Sequence, residues 1–232
     1  MTITHFPNGV SDAAGSTFAG SFPAPSPLKH HQYLNDFDVF TAGDWTVTAL
    51  DGGTDSGEVT AVADADGGVL TVTTNDADND NVCLEAQGES WKFESGKKLW
   101  LAARFKVEDA DDSDFYFGLH ATDTNPFSTA PAQRAYFLLA EGAATVTFNM
   151  DDTSTDASSG TVATLVDDTY VELAAYYDGS TTVHLYADGA EVTQMTGVSI
   201  PSTELALGFG VATGAAETRT LSVDYVWAAK ER

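Results

Sequence analysis

Thr169 to Val192 read TYVELAAYYDGSTTVHLYADGAEV. Val171, Leu173, Ala175 and Tyr177 alternate with Glu172, Ala174 and Tyr176, the period of two that marks a strand with one apolar face. Asp178-Gly179-Ser180 breaks the alternation, which resumes at Val183, Leu185 and Ala187, so the pair reads as a β-hairpin closed by Asp-Gly turn chemistry. A second Asp-Gly, Asp188-Gly189, returns the chain into Ala190 to Met195. Three successive antiparallel strands are thus written locally.

Outward from this stretch the same pattern recurs. Lys98 to Val107 place Leu99, Leu101, Ala103, Phe105 and Val107 on one face and Trp100, Ala102, Arg104 and Lys106 on the other. Phe115, Phe117 and Leu119 alternate with Tyr116, Gly118 and His120, and Thr218 to Trp227 set Leu221, Val223, Tyr225 and Trp227 on one face. Val- and Thr-rich strands are predicted at Trp45 to Leu50, Glu58 to Ala63, Val69 to Thr74 and Val82 to Ala86. Ser90 to Phe93, Ala135 to Ala140, Ala144 to Asn149, Thr161 to Val166 and Glu204 to Ala212 complete the set. Roughly fourteen strands without a helix are too many for one flat sheet and predict an all-β fold of two packed antiparallel sheets.

Composition limits the partners. The 232 residues hold 10 basic and 35 acidic side chains, a formal charge of -25 that repels phosphate backbones and anionic lipid, so neither nucleic acid nor membrane is expected as a partner. Lys92 with Lys97-Lys98 is the strongest local basic cluster. The single cysteine, Cys83, allows no internal disulfide and reads as an inert thiol in an apolar run. No stretch reaches the ~18 apolar residues of a membrane helix, and Met1 to Gly20 lacks the charged start and apolar centre of a signal peptide.

Residues 1–35 differ from 36–232. They hold one acid, Asp12, one base, Lys29, and four of the seven prolines. Pro23-Ala24-Pro25-Ser26-Pro27 should be extended. Ile3, Phe6, Val10, Phe18, Phe22 and Leu28 stud this arm with apolar anchors, for docking on a partner or, alternatively, for wrapping on the chain's own sandwich.

Tyr177-Asp178-Gly179, Leu185-Tyr186-Ala187-Asp188-Gly189 and Val223-Asp224-Tyr225-Val226-Trp227, in this order, resemble the concanavalin A-like (laminin G-like) jelly roll over about residues 36–229. A second resemblance rests on Met1-Thr2-Ile3-Thr4-His5-Phe6, Tyr33-Leu34-Asn35-Asp36-Phe37-Asp38, Thr41 to Thr48 and Phe93 to Trp100. These are similar to virion-associated proteins of tailed bacteriophages, a family thought to decorate the head. The resemblance implies a location on the outer capsid surface, with the major capsid protein as partner and a homo-oligomer, such as a trimer, as the assembled form.

Glycanases of this jelly roll carry paired carboxylates at alternate positions of one strand, about 5 Å apart. No Glu-x-Asp-x-x-Glu pattern and no Gly-x-Ser-x-Gly elbow occurs, so an enzyme is not expected. Asp76, Asp78 and Asp80 offer oxygens on alternate residues, which would suit calcium, although the glycine and glutamate of a helix-loop-helix calcium loop are missing. His30-His31 is a weak metal pair. Trp91, Trp100, Tyr116, Tyr176 and Tyr186 stand on faces that can point outward, and Trp100, Tyr116 and Tyr186 are the candidates for stacking on a glycan. The expected function is a capsid decoration or cement protein anchored by its arm, with lectin-like carbohydrate binding as the alternative.

Overall fold

The structure, a computed structural model, describes residues 17–18, 28–50, 57–62 and 65–232. Among the described residues the alternation is realised as sixteen strands and a 3-10 turn at Ala42–Asp44. In chain order they are β1 (His30–Asn35), β2 (Trp45–Leu50), β3 (Glu58–Ala61), β4 (Leu70–Thr73), β5 (Asn81–Ala86), β6 (Leu99–Val107), β7 (Ser113–His120) and β8 (Gln133–Leu139). There follow β9 (Thr145–Asp152), β10 (Asp156–Ser158), β11 (Ala163–Thr164), β12 (Val171–Tyr177), β13 (Thr182–Ala187), β14 (Ala190–Thr196), β15 (Ala206–Thr213) and β16 (Thr220–Glu231).

They form two eight-stranded antiparallel sheets. The first runs β14-β13-β12-β6-β16-β4-β3, with β1 beside the C-terminal half of β16; the second runs β10-β9-β8-β7-β15-β5-β2, with β11 beside β9. This is the two-sheet jelly-roll sandwich of concanavalin A-like type. Leu101, Phe105, Leu173 and Leu185 from the first sheet meet Phe115, Phe117, Phe137 and Phe209 from the second in one apolar core. Burying each such side chain contributes ~1.5–3 kcal/mol. The Asp178 turn closes as read: its Oδ1 accepts from the Ser180 backbone N–H at 2.8 Å, and Gly179 takes φ 87°, where a Cβ would be strained.

Three features depart from the sequence reading. Strand β1 lies inside the segment read as an arm, because His30 to Asn35 pair residue by residue with Glu231 to Val226. Ser90 to Phe93 is no strand; Trp91 makes an isolated bridge to Leu205. In β16 the expected single face of Leu221, Val223, Tyr225 and Trp227 does not exist. Val223 pairs with Phe105 but Tyr225 pairs with the next residue, Arg104, so Asp224 is the extra residue of a β-bulge. One inserted residue inverts every later side chain. Leu221, Val223, Val226 and Ala228 therefore fill the core, while Tyr225 and Trp227 emerge on the outer face.

Candidate ligand groove on the outer face

The register sets the outer face of the first sheet out in rows. Tyr186 of β13 stands opposite Ala174 of β12, Ala174 opposite Ala102 of β6, Ala102 opposite Trp227 of β16, and Trp227 opposite Leu34 of β1. Two alanines between two large rings leave a notch, and Phe18 fills it. Its ring centroid lies 5.5 Å from Tyr186 and, edge-on, 5.6 Å from Trp227, and Thr17 bridges to Ala190 on the edge strand β14. In the adjoining row Trp100, Tyr176 and His184 form a stacked ladder with centroids 5.4 and 5.5 Å apart, closed by His184 Nδ1 against Glu191 Oε1 at 2.7 Å.

Beyond Phe18 the notch continues as a groove of 710 Å³, lined by Phe18, Leu34, Ala102, Trp227 and Tyr225 together with Glu172, Asp188 and the Gly189-Ala190 turn. Trp227 and Tyr225 are half-buried, and Leu34 is 63% exposed. The polar wall is held in place. Tyr225 donates its hydroxyl to Glu172 Oε2 at 2.5 Å, and Asp188 Oδ1 accepts from the Glu172 backbone N–H at 3.0 Å. Arg104 pairs with Asp224 and lies 4.3 Å over the Tyr170 ring. Burial, then the bond to Glu172, raises the Tyr225 hydroxyl well above its ordinary value, so it stays protonated as a donor. Apolar ring surface and anchored carboxylate acceptors thus line one open groove.

The centre of the outer face of the second sheet is filled. Gly208 and Gly210 of β15 leave room for rings from β7: a Cβ at 208 would meet His120 Nε2 at 2.4 Å, and one at 210 would meet Tyr116 Cε1 at 2.9 Å. Phe127 and Tyr136 cover Tyr116, and Glu85 Oε2 accepts from the Asp123 backbone N–H at 3.1 Å, fastening the overlying loop. Cys83 lies beneath, its thiol pushed up to about 12 by burial.

The proposed site residues are placed as follows. Ile3, Phe6, Val10 and Phe22 lie outside the described residues; Leu28 is 87% exposed, and Phe18 is spent on the chain's own sandwich. The glycan-stacking candidates are corrected. Trp100, Tyr116 and Tyr186 do stand on outer faces, but all three are covered, by Tyr176, Phe127 and Phe18 respectively, and offer no ring to a ligand. The calcium set is corrected too: Asp80 is buried and its Oδ2 accepts from the Ala77 backbone N–H at 3.0 Å, while Asp76 and Asp78 face solvent. Among the described residues no group of three or more histidine, cysteine or acidic side chains gathers as metal ligands. His30 packs toward Trp100 and His31 against Trp91, on opposite faces of β1, so they do not converge. The sequence reading puts the groove residues Tyr225 and Trp227 on one face with Leu221 and Val223, since the bulge that separates them has no sequence signal beyond Asp224 standing within an apolar strand.

No protein-family profile matches the chain, and no curated protein matches it in sequence. Solved structures do. A protein of unknown function from Shewanella oneidensis MR-1 superposes with TM-score 0.61 at 14% identity, covering 88% of this chain and 87% of that one. An endo-1,3-β-glucanase from Streptomyces sioyaensis gives 0.59 at 16%, covering 90% and 98%. The potassium-bound carbohydrate recognition domain of Emp46p gives 0.58 at 13%, covering 84% and 94%. The expectation that the chain is no enzyme is thereby corrected. The same sandwich carries a glucanase as well as a carbohydrate recognition domain, so the architecture is enzyme-capable, and the missing glutamate pattern tested only one way of mounting catalytic groups on it.

Proposed function

We propose that this chain is a carbohydrate-recognition module whose ligand occupies the outer-face groove of the first sheet. The observation that carries this reading is the groove's composition: the Trp227 ring in one lining with the hydrogen-bonded Tyr225–Glu172 pair and Asp188. A sugar ring has a face of C–H groups and a rim of hydroxyls; the first packs on aromatic surface and the second donates to carboxylates. The volume, 710 Å³, is within the ~300–1,000 Å³ of small-molecule sites. Likeness in fold to a carbohydrate recognition domain supports the reading. A glycan array probed with the full chain is expected to give saturable binding to a restricted set of oligosaccharides. Background signal throughout would overturn it.

A second reading is favoured by the split of charge along the sequence, one acid and one base in residues 1–35 against a chain total of -25. In it the protein decorates the outer surface of a tailed-bacteriophage head, the arm docking on the major capsid protein and the acidic sandwich facing out. Binding only the assembled shell would favour that shell by mass action. The readings are compatible, since a decoration protein with an open sugar groove gives a particle weak adhesion. Because Phe18 serves the sandwich, the test substitutes Phe6 and Phe22 with serine and follows co-sedimentation with empty heads. Saturable pelleting of the parent chain, lost in the variant, is expected; a parent chain that stays in the supernatant, or a variant that pellets as well, would contradict it.

A further inference from the structure

The ten lysines and arginines are unevenly placed. Four lie along the body of the sandwich, and each meets carboxylates: Arg104 with Asp224, Lys106 with Asp168 at 2.8 Å, Arg134 with Asp151 and Asp156 at 2.9 and 3.0 Å, and Arg219 with Glu217 at 3.1 Å. The other six, Lys29, Lys92, Lys97, Lys98, Lys230 and Arg232, gather at one end of the first sheet. Strand pairing brings them there from three distant parts of the sequence. Lys230 stands opposite His31 on β1 and opposite Leu99 on β6, the Glu231 N–H donates to the Lys98 carbonyl at 2.9 Å, and the Arg232 N–H donates to the Lys29 carbonyl at 2.8 Å.

A polar groove of 420 Å³ opens at this pole, lined by Lys97, Lys230 and Arg232 with His31, Glu94 and Glu231. Lys97 pairs with Glu94 at 3.2 Å, and Lys92 pairs with Glu204 at 3.1 Å. Lys29, Lys98 and Lys230 have no carboxylate at ion-pair distance among the described residues. In a protein with 25 more acids than bases, unpaired cations confined to one end form the place where an external anion is least repelled. Burial, then the charges of Lys230 and Arg232, hold the His31 imidazole below its ordinary value, so the groove itself feels the positive field.

We propose that this pole is an anion subsite for the carboxylates of an acidic polysaccharide, making the ligand of the module a glycan that carries uronic-acid groups. The inference rests on the carbohydrate reading and extends it. Lys98 lies four residues before Ala102 of the groove, an even spacing that keeps it on the same outer face roughly 13 Å away at ~3.3 Å per strand residue, and Lys230 reaches the same end from the other side of the sheet, a span that one short oligosaccharide covers. A nucleic acid suits the pole poorly: with one charge per ~1.7 Å of duplex, most of its phosphates would lie against the acidic body.

The test is calorimetric titration of the full chain with an oligoglucuronate and with a neutral oligoglucan of equal length, at low and at physiological salt. The acidic oligomer should bind ~10-fold tighter, with an advantage that shrinks as salt is added. The double substitution Lys98→Ala and Lys230→Ala, checked for an unchanged melting temperature, should remove that advantage and leave neutral binding in place, while Lys230→Arg keeps it. Equal binding of the two oligomers, or an advantage that survives the double substitution, would overturn the anion subsite alone. Binding of neither would overturn the carbohydrate reading and the subsite with it.

Discussion

A methyl group on residue 208 would stand 2.4 Å from His120 Nε2 and 3.1 Å from the Leu84 carbonyl, in a layer with no room to yield. Gly208→Ala should therefore cost ~1–3 kcal/mol, the range for overpacking a filled site, read as a lowered melting temperature; an unchanged melt would contradict the packing described. The imidazole it crowds has its own pH signature. His120 Nδ1 lies 2.9 Å from the Ala121 carbonyl, and Nε2 is buried without a hydrogen-bond partner. Burial holds the ring below its ordinary value, outweighing the pull of Glu85, Asp123 and Glu89. The folded chain thus binds fewer protons here than the unfolded one. The associated stability is fully present above the unfolded value near ~6.5 and is lost as pH falls from there through the lowered folded value. The urea midpoint should drop across that window in the parent chain and drop less in His120→Gln; identical pH profiles would contradict the assignment. At this scale the sequence discloses which face a side chain takes but not what lies over it. Trp100, Tyr116 and Tyr186 stand on faces away from the core while Trp91, read with them as able to point outward, is buried inside it, and Phe18 and Phe127, which help to cover the first three, come from other parts of the chain.

Among the elements, β16 decides whether a groove exists at all. Beyond the Asp224 bulge Tyr225 and Trp227 stand outward, and Val226 and Ala228 fill the core. Deleting Asp224 removes the extra residue and leaves Val223 and Tyr225 on the consecutive partners Phe105 and Arg104, so that variant should still fold cooperatively with Tyr225 and Trp227 outward. Asp224→Ala keeps the bulge and loses only the ion pair with half-exposed Arg104, worth ~0–1 kcal/mol. A deletion variant that loses its cooperative transition while Asp224→Ala keeps it would contradict the role given to the extra residue. The long strands and both Asp-Gly turns were legible because their pattern is local. Strand β1 was not: HHQYLN has no apolar alternation, and its pairing partner is the far end of the chain. Strand β10, Asp156–Ser158, is likewise too short and polar to register as a period.

At the scale of the molecule, charge is sorted twice, once along the sequence between arm and sandwich and once in space between the acidic body and the basic pole. The first is countable in the sequence. The second appears only when β1 and β16 bring Lys29, Lys230 and Arg232 beside Lys97 and Lys98. The jelly roll was legible for the reason most of the site was not, since turns and alternation are local while the groove needs a bulge, a notch of two alanines and Phe18 at once. The account turns on Trp227 as the ring on which a sugar packs. The direct measurement is oligosaccharide affinity of the parent chain beside Trp227→Ala, with melting temperatures as a control on folding. The account predicts measurable binding in the parent and a loss of at least ~10-fold, or ~1.4 kcal/mol, in a variant that remains folded. Binding unaffected by the substitution, or absent from the parent chain, would contradict it.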